Sequence, residues 1–254
     1  MTTLSRVSLV LDALAESRGR LSLSELAART GLPRSSVHRT IQDLEEELYV
    51  VRTPGRPGYA LGPGVLKFGM AGHLHLLSAN RGQLVSLARA TNENAELAIF
   101  SGREVVIVDQ VASPERLKGV TKVGRSFSLH ASCIGKALLA ALPAARADDL
   151  LPQELERFTD TTITDKVELQ AEVELIRRIG LAVDIEEHDR GICALATAMT
   201  GPTGALQAIA VVMPTSRFGA KSAAALDGLK ELNPAIDLPN ALKYLDLKKR
   251  AGLG

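Results

Sequence analysis

Ser22-Leu-Ser-Glu-Leu-Ala-Ala-Arg-Thr30, Gly31-Leu-Pro33 and Arg34-Ser-Ser-Val-His-Arg-Thr-Ile-Gln-Asp-Leu-Glu-Glu-Glu-Leu48 form the stretch on which the fold turns. Ser22 or Ser24 offers an N-cap, with Glu25 in the first turn, to a short helix from Glu25 to Thr30 whose Leu26 and Ala27 face inward, and Gly31 stops it. Pro33 suits the first position of a following helix, where its missing N–H costs nothing. Val37, Ile41, Leu44 and Leu48 then recur at four-three-four spacing and fall within about 60° of one another on one face. Two helices joined by a three-residue turn containing glycine predict a helix-turn-helix.

Ser35, Arg39 and Gln42 project from the face opposite that stripe, with Ser36 and His38 beside them. Arg34, His38 and Arg39 come early in the helix, and Asp43, Glu45, Glu46 and Glu47 come late, the reverse of what the helix dipole prefers. A partner outside the helix should therefore reward cations at its N-terminal end, as a phosphate backbone does. A small helical domain with a solvated basic face would share this pattern, so the flanking residues decide. Leu4, Val7, Val10, Leu11 and Leu14 predict a preceding helix from Leu4 to Ala15. Tyr49 to Arg52 and Gly58 to Leu61 predict two short strands joined by Thr53-Pro-Gly-Arg-Pro57, a wing with Arg56 at its tip, placed to enter a minor groove. Arg34, Ser35, Ser36, His38, Arg39 and Arg56 are the expected DNA-contacting residues.

Gly62-Pro-Gly64 marks a boundary, after which Val65 to Leu77 predicts a connector helix. Its Leu66, Phe68, Met70, Leu74 and Leu77 occupy more than one face, and a second subunit is the cheapest cover for the surplus, so a homodimer is expected through them. From Asn80 the pattern alternates: a helix to about Thr91, strands near Glu96 to Phe100 and Glu104 to Val111, helices Ser132 to Leu142 and Lys166 to Arg178, and strands Leu181 to Ile185, Ile192 to Met199 and Leu206 to Met213. Gly201-Pro-Thr-Gly204 is a hairpin turn, and the nearly unbroken apolar run of the last strand suits a central position. The expected class is α+β, divided into a winged domain at 1–62, a linker at 63–79 and an antiparallel sheet with helices at 80–254. Pro234 onward is either a docked last helix or a frayed basic end.

Thirty basic against 29 acidic residues give +1, so any argument for nucleic acid is local. With 46% hydrophobic and 23% charged residues, long disorder and rod-like coiled coils are excluded. The longest apolar run, Ala205 to Met213, is far short of a membrane span, and the N-terminus lacks the apolar core of a secretory signal, so a cytoplasmic protein without membrane association is expected. Cys133 and Cys193 stand sixty residues apart, which excludes a disulfide framework.

Cys133 near His130, with His188 and Asp184 elsewhere, raises the alternative of a cysteine-dependent small-molecule hydrolase. A buried structural cysteine at the start of an apolar helix explains the same residue, and no enzyme activity is expected. Gly135-Lys136 lacks the earlier glycine and the following Ser or Thr of a phosphate loop, and the histidines lack metal-ligand spacing. Glu186 and Glu187 suit a solvated polar turn. With no dinucleotide fingerprint, no cofactor and no metal are expected. Eight aromatic residues are too few for a stacking platform.

The winged segment, Tyr59-Ala-Leu-Gly62, His130-Ala-Ser-Cys-Ile-Gly-Lys-Ala137, Thr161-Thr-Ile-Thr164 and Gly180-Leu-Ala-Val-Asp-Ile-Glu-Glu-His188 leading into Gly191-Ile-Cys193 resemble the IclR (isocitrate lyase regulator) family of bacterial transcription factors, in order from residue 4 to about 218. The resemblance implies a dimer, often paired into a tetramer, that binds a pseudo-palindromic double-stranded operator and carries a GAF-like C-terminal domain for a small-molecule effector. It further implies an effector site at Phe127, Ser132, Cys133, Ile134, Asp184, Ile192, Ala194, Ala210 and Val212, with polar contacts from the amides near Cys133 and Ile134 and from Asp184. Family members that bind small oxo-acids often carry Cys and Ser where this chain has Ala194, Ala210 and Val212, and a Pro where it has Thr197. A ligand with a larger apolar body, a small organic acid or related amide, is the expectation, in a repressor controlling a catabolic operon.

Overall fold

The computed structural model describes residues 2–17, 20–53, 55, 57–102, 104–119, 121–201 and 204–252. Two compact units divide the chain, residues 1–74 and 75–254.

The first unit opens with α1 (Thr3–Glu16), capped by the Thr2 side chain. Ser22 and Glu25 form a reciprocal capping box on α2 (Leu23–Thr30), which ends at Gly31 in the left-handed region. Pro33 lies at the N-cap of α3 (Arg34–Glu46) rather than inside it, its carbonyl accepting from the Ser36 and Val37 amides. Val37, Ile41 and Leu44 are buried with Val10, Leu14, Leu26 and Val50. Leu48 does not continue this stripe. It is exposed and lies beyond the helix with φ +56°, where the amide of Tyr49 donates to Leu44 and its own to Glu45, a Schellman-type C-cap. The wing strands β1 (Val50–Arg52) and β2 (Tyr59–Leu61) pair antiparallel, Val50 with Leu61 and Arg52 with Tyr59. Arg56, the expected tip residue, lies outside the described residues.

The predicted connector and the helix after it are one element, α4 (Gly64–Thr91). Ser78 and Asn80 look like punctuation in the sequence. Their side chains instead donate to the carbonyls of His75 and Leu76, at 2.9 Å each, and the helix runs through.

The second unit continues through β3 (Asn94–Phe100), β4 (Val105–Val111), β5 (Ser126–Phe127), α5 (Cys133–Ala141), α6 (Ala144–Leu150), α7 (Lys166–Ile179), β6 (Ala182–Ile185), β7 (Ile192–Thr200), β8 (Leu206–Pro214), α8 (Thr215–Leu232) and α9 (Leu238–Gly252). Among the described residues the six strands form one antiparallel sheet in the order β5-β4-β3-β8-β7-β6, with β8 inside it as its apolar run predicted. One face carries α5 and α7 over a strip of alanines, including Ala98, Ala194, Ala196, Ala208 and Ala210. The other packs larger side chains (Leu97, Leu195, Val211) with Phe218, Leu226 and Leu229 of α8. The alternative left open for the C-terminus resolves as a docked helix: Ala241, Tyr244 and Leu245 of α9 are buried. Thr197 has a role of its own in this unit, donating to the Gly180 carbonyl at 2.8 Å and accepting from Asn233.

Candidate functional site

On α3 the buried stripe turns the opposite face outward. Arg34, Ser35, His38, Arg39 and Gln42 are exposed and Ser36 is half-buried. Arg34 to Arg39 occupy the first two turns of a helix whose N-terminus carries no side-chain cap, so its orphan N–H groups and its cations lie at the same end. Further along, Glu45 pairs with Arg52 of β1 at 2.9 Å, which fixes the wing against the helix. An anionic rod is what such a surface suits.

In the second unit, a cavity of about 310 Å³ lies over the alanine face of the sheet. Its walls include Phe127 of β5, Ser132, Cys133 and Ile134 at the start of α5, Asp184 of β6, Ile192 and Ala194 of β7, and Ala210 and Val212 of β8. All nine residues of the expected effector site are thus brought together. Seven others also line it: Glu96, Lys118, Gly119, Thr121, Arg125, His188 and Asp189. They lie in loops and on an edge of the apolar pattern, where periodicity carries no information. Glu96, the one carboxylate on β3, is the legible signal among them.

The local chain explains the cavity. Ser132 caps α5 by accepting from the Gly135 amide at 3.1 Å and donates to the Ser128 carbonyl at 2.8 Å, which leaves the amides of Cys133 and Ile134 directed out of the helix beside the cavity. A Cβ at Gly135 would lie 2.6 Å from the Leu129 carbonyl oxygen, so only glycine lets this loop close onto the helix. Asp184 accepts from the Glu187 amide at 2.7 Å. Burial, then the Glu187 carboxylate, pushes its pKa up to about 7. Phe127 packs on the His188 ring at 4.8 Å between centroids, and Arg125 lies 4.6 Å from the Phe127 ring.

Glu187 corrects the reading of a solvated acidic turn. It is buried, and both its oxygens lie 2.7 Å from Nζ of Lys136, itself fully buried. Glu172 joins them at 2.5 Å from Lys136, and Lys248 of α9 contacts Glu172 at 3.0 Å and Glu187 at 3.0 Å. Burial alone would lower the pKa of Lys136, but Glu187 and Glu172 raise it well above the ordinary lysine value. The hydroxyls of Thr159 and Thr162 donate to the carbonyls of Glu186 and Glu187 at 2.6 Å each, so the threonine-rich segment is a clamp on this turn.

Cys133 is buried, and burial, with Asp184 nearby, raises its pKa well above the thiol range, the opposite of an activated nucleophile. His130 faces elsewhere, its Nδ1 paired with Ser128 Oγ at 2.7 Å and its Nε2 donating to the Glu156 carbonyl at 2.8 Å. Among the described residues no group of three or more His, Cys, Asp and Glu side chains is placed to hold a metal ion. No helix among them is long and apolar enough to cross a membrane.

A winged helix-turn-helix joined to an α+β unit with a polar-ended cavity defines a DNA-binding regulator that responds to a ligand. The IclR helix-turn-helix domain matches residues 3–54, and the bacterial transcriptional regulator IclR C-terminal domain matches residues 68–237. The chain is 37% identical over 220 residues to the HTH-type transcriptional regulator Rv1719 of Mycobacterium tuberculosis, covering 87% of this chain and 85% of the relative. It is 32% identical over 220 residues to the HTH-type transcriptional repressor AllR of Klebsiella pneumoniae, covering 85% and 80%. A crystal structure of an IclR-type regulator from Silicibacter sp. TM1040 superposes with a TM-score of 0.81 at 26% identity, over 94% of this chain and 96% of that one. The chain belongs to the IclR family of transcriptional regulators.

Proposed function

We propose that the protein is a repressor of a catabolic operon whose grip on DNA is set by a small organic acid or related amide with an apolar body, bound in the cavity of the second unit. The observation that carries this reading is the convergence of the nine expected residues on one cavity. The α5 amides and Asp184 hold the polar end of the ligand, and the alanines of β7 and β8 accept its body. The repressor assignment leans on the name of the Klebsiella relative. Arg34, Ser35, Ser36, His38, Arg39 and Arg56 contact the duplex. Leu66, Phe68, Met70, Leu74 and Leu77 form the homodimer, which pairs into a dimer of dimers on a pseudo-palindromic operator. Leu66, Phe68, Met70 and Leu74 are exposed, an apolar surface that a second copy would cover. The working organisation is a winged domain at 1–62, a linker at 63–79 and an effector domain at 80–254. For the effector to act, its affinity must differ between the DNA-bound and released states.

Footprinting on the protein's own upstream DNA, with calorimetry of glyoxylate and pyruvate against aromatic and longer aliphatic acids and amides, tests this function. Protection that weakens as an aromatic or long-chain acid saturates the protein is the expected result. Tight glyoxylate or pyruvate binding by the unmodified chain would overturn the ligand class. The double variant Ala210→Ser/Val212→Ser should move preference toward those small acids.

A further inference from the structure

Resting on the effector site above, we propose that Glu96 determines specificity there, accepting a hydrogen bond from a hydroxyl or N–H at the end of the effector remote from the α5 amides. The ligand class is then an elongated acid with a carboxylate, an apolar body and a donor group at the far end.

The sheet register sets this geometry. Glu96 of β3 pairs with Ala210 of β8, Val212 of β8 pairs with Ala194 of β7, and Ala194 pairs with Asp184 of β6. Glu96 and Asp184 both line the cavity, so they stand on one face of the sheet with two strands between them. Three strand spacings and an offset of two residues along the strands separate their backbones by roughly 16 Å. On the sheet floor between them every side chain (Ala210, Val212, Ala194) lacks a polar atom, so the floor offers polar recognition only at its two ends. At the Asp184 end, the free amides of α5 suit an anion.

The Glu96 end is built. The side chain is 2% exposed, and its Oε1 accepts from Gln110 Nε2, the residue opposite it on β4, at 2.9 Å. Gln110 orients the carboxyl and leaves it acceptor capacity toward the cavity. Burial pushes the Glu96 pKa up, against hydrogen bonds from Thr121 and Gln110 and the charge of Arg125. Gln110 and Thr121 offset the cost of holding this carboxyl beside an alanine strip, and its place on the cavity wall offers it to a donor there.

The test compares two nearly isosteric probes, 4-hydroxybenzoate and 4-methylbenzoate, by calorimetry on the full-length wild type, E96Q and E96A. Sites built to hydrogen-bond a hydroxyl reject analogues lacking it strongly, so the wild type should prefer the hydroxy acid by about tenfold or more. E96A should lose that preference while holding 4-methylbenzoate within about threefold of wild type, and E96Q, which keeps an accepting oxygen, should retain part of it. Equal wild-type affinities, or a preference that survives in E96A, would overturn the role of Glu96 and leave the effector cavity standing. If neither benzoate binds the wild type, the elongated-acid class and the cavity's assignment to it both fall.

Discussion

Asp184 gives the ligand unit a pH signature with a definite sign. Its pKa rises from 3.8 to about 7 on folding, so across that window the native state holds protons the unfolded chain has lost. Stability from this group is fully present below about 4 and is lost as pH rises through about 7. Asp184→Asn should flatten the fall in Tm that the wild type shows between pH 5 and pH 8 in scanning calorimetry; an equal fall in both proteins would refute the assignment. Glu172 acts in the opposite sense and at lower pH. Burial raises its pKa, but Lys136 and Lys248 outweigh this and hold it at about 2, so its contribution fades as pH falls from 4.5 toward 2. On α3, Arg39→Ala should weaken operator binding by about 1–3 kcal/mol if the guanidinium reads a base edge. Equal losses on operator and random duplexes would make Arg39 a phosphate contact, and no loss would remove it from the interface.

Among elements, the end of α3 shows how a strained residue is kept. Leu48 occupies the left-handed C-cap position that glycine usually fills, and a Cβ on Gly62 would land on the Leu48 carbonyl oxygen. Leu48→Gly should stabilise the winged unit by roughly 1 kcal/mol. Urea unfolding followed by tyrosine fluorescence checks it, since Tyr49 and Tyr59 belong to this unit and only Tyr244 does not. A lower urea midpoint would mean that the Leu48 side chain, not its backbone, matters there. The same leucine marks the limit of sequence reading: its spacing extends the stripe of Val37, Ile41 and Leu44, and no glycine announces the stop. Period and punctuation were enough for the helix-turn-helix, the wing and the long strands. They failed at Ser78 and Asn80, whose side chains bond back to their own helix, and at α6 and α8, where small residues blur the apolar face. The nine cavity-lining residues were picked out through family motifs, whereas Glu187 was misread because its buried partner Lys136 lies fifty-one positions away.

On the scale of the molecule, the Lys136 cluster ties α5, α7, α9 and the turn after β6 together. Lys136→Met would leave two buried carboxylates, Glu172 and Glu187, sharing the single cation Lys248 and should cost about 3 kcal/mol, read as a lowered urea midpoint of the second unit. A loss under 1 kcal/mol would mean the carboxylates escape to water. Exposed Leu74 and half-buried Leu77 of α4 set the assembly test. Leu74→Glu/Leu77→Glu should halve the mass seen by light scattering and abolish tight operator binding, while unchanged mass with intact binding would locate the dimer elsewhere. Finally, the sheet closes by pairing Asn94 with Val212, partners more than a hundred residues apart. The winged unit, whose pairings are local, should fold early, and this closure should come late and slowly. Both ends of the cavity depend on it. A newly made chain would then acquire its DNA-binding unit before its ligand-binding one, and refolding in the presence of a ligand that binds the cavity should raise the yield of finished protein by trapping the closed sheet.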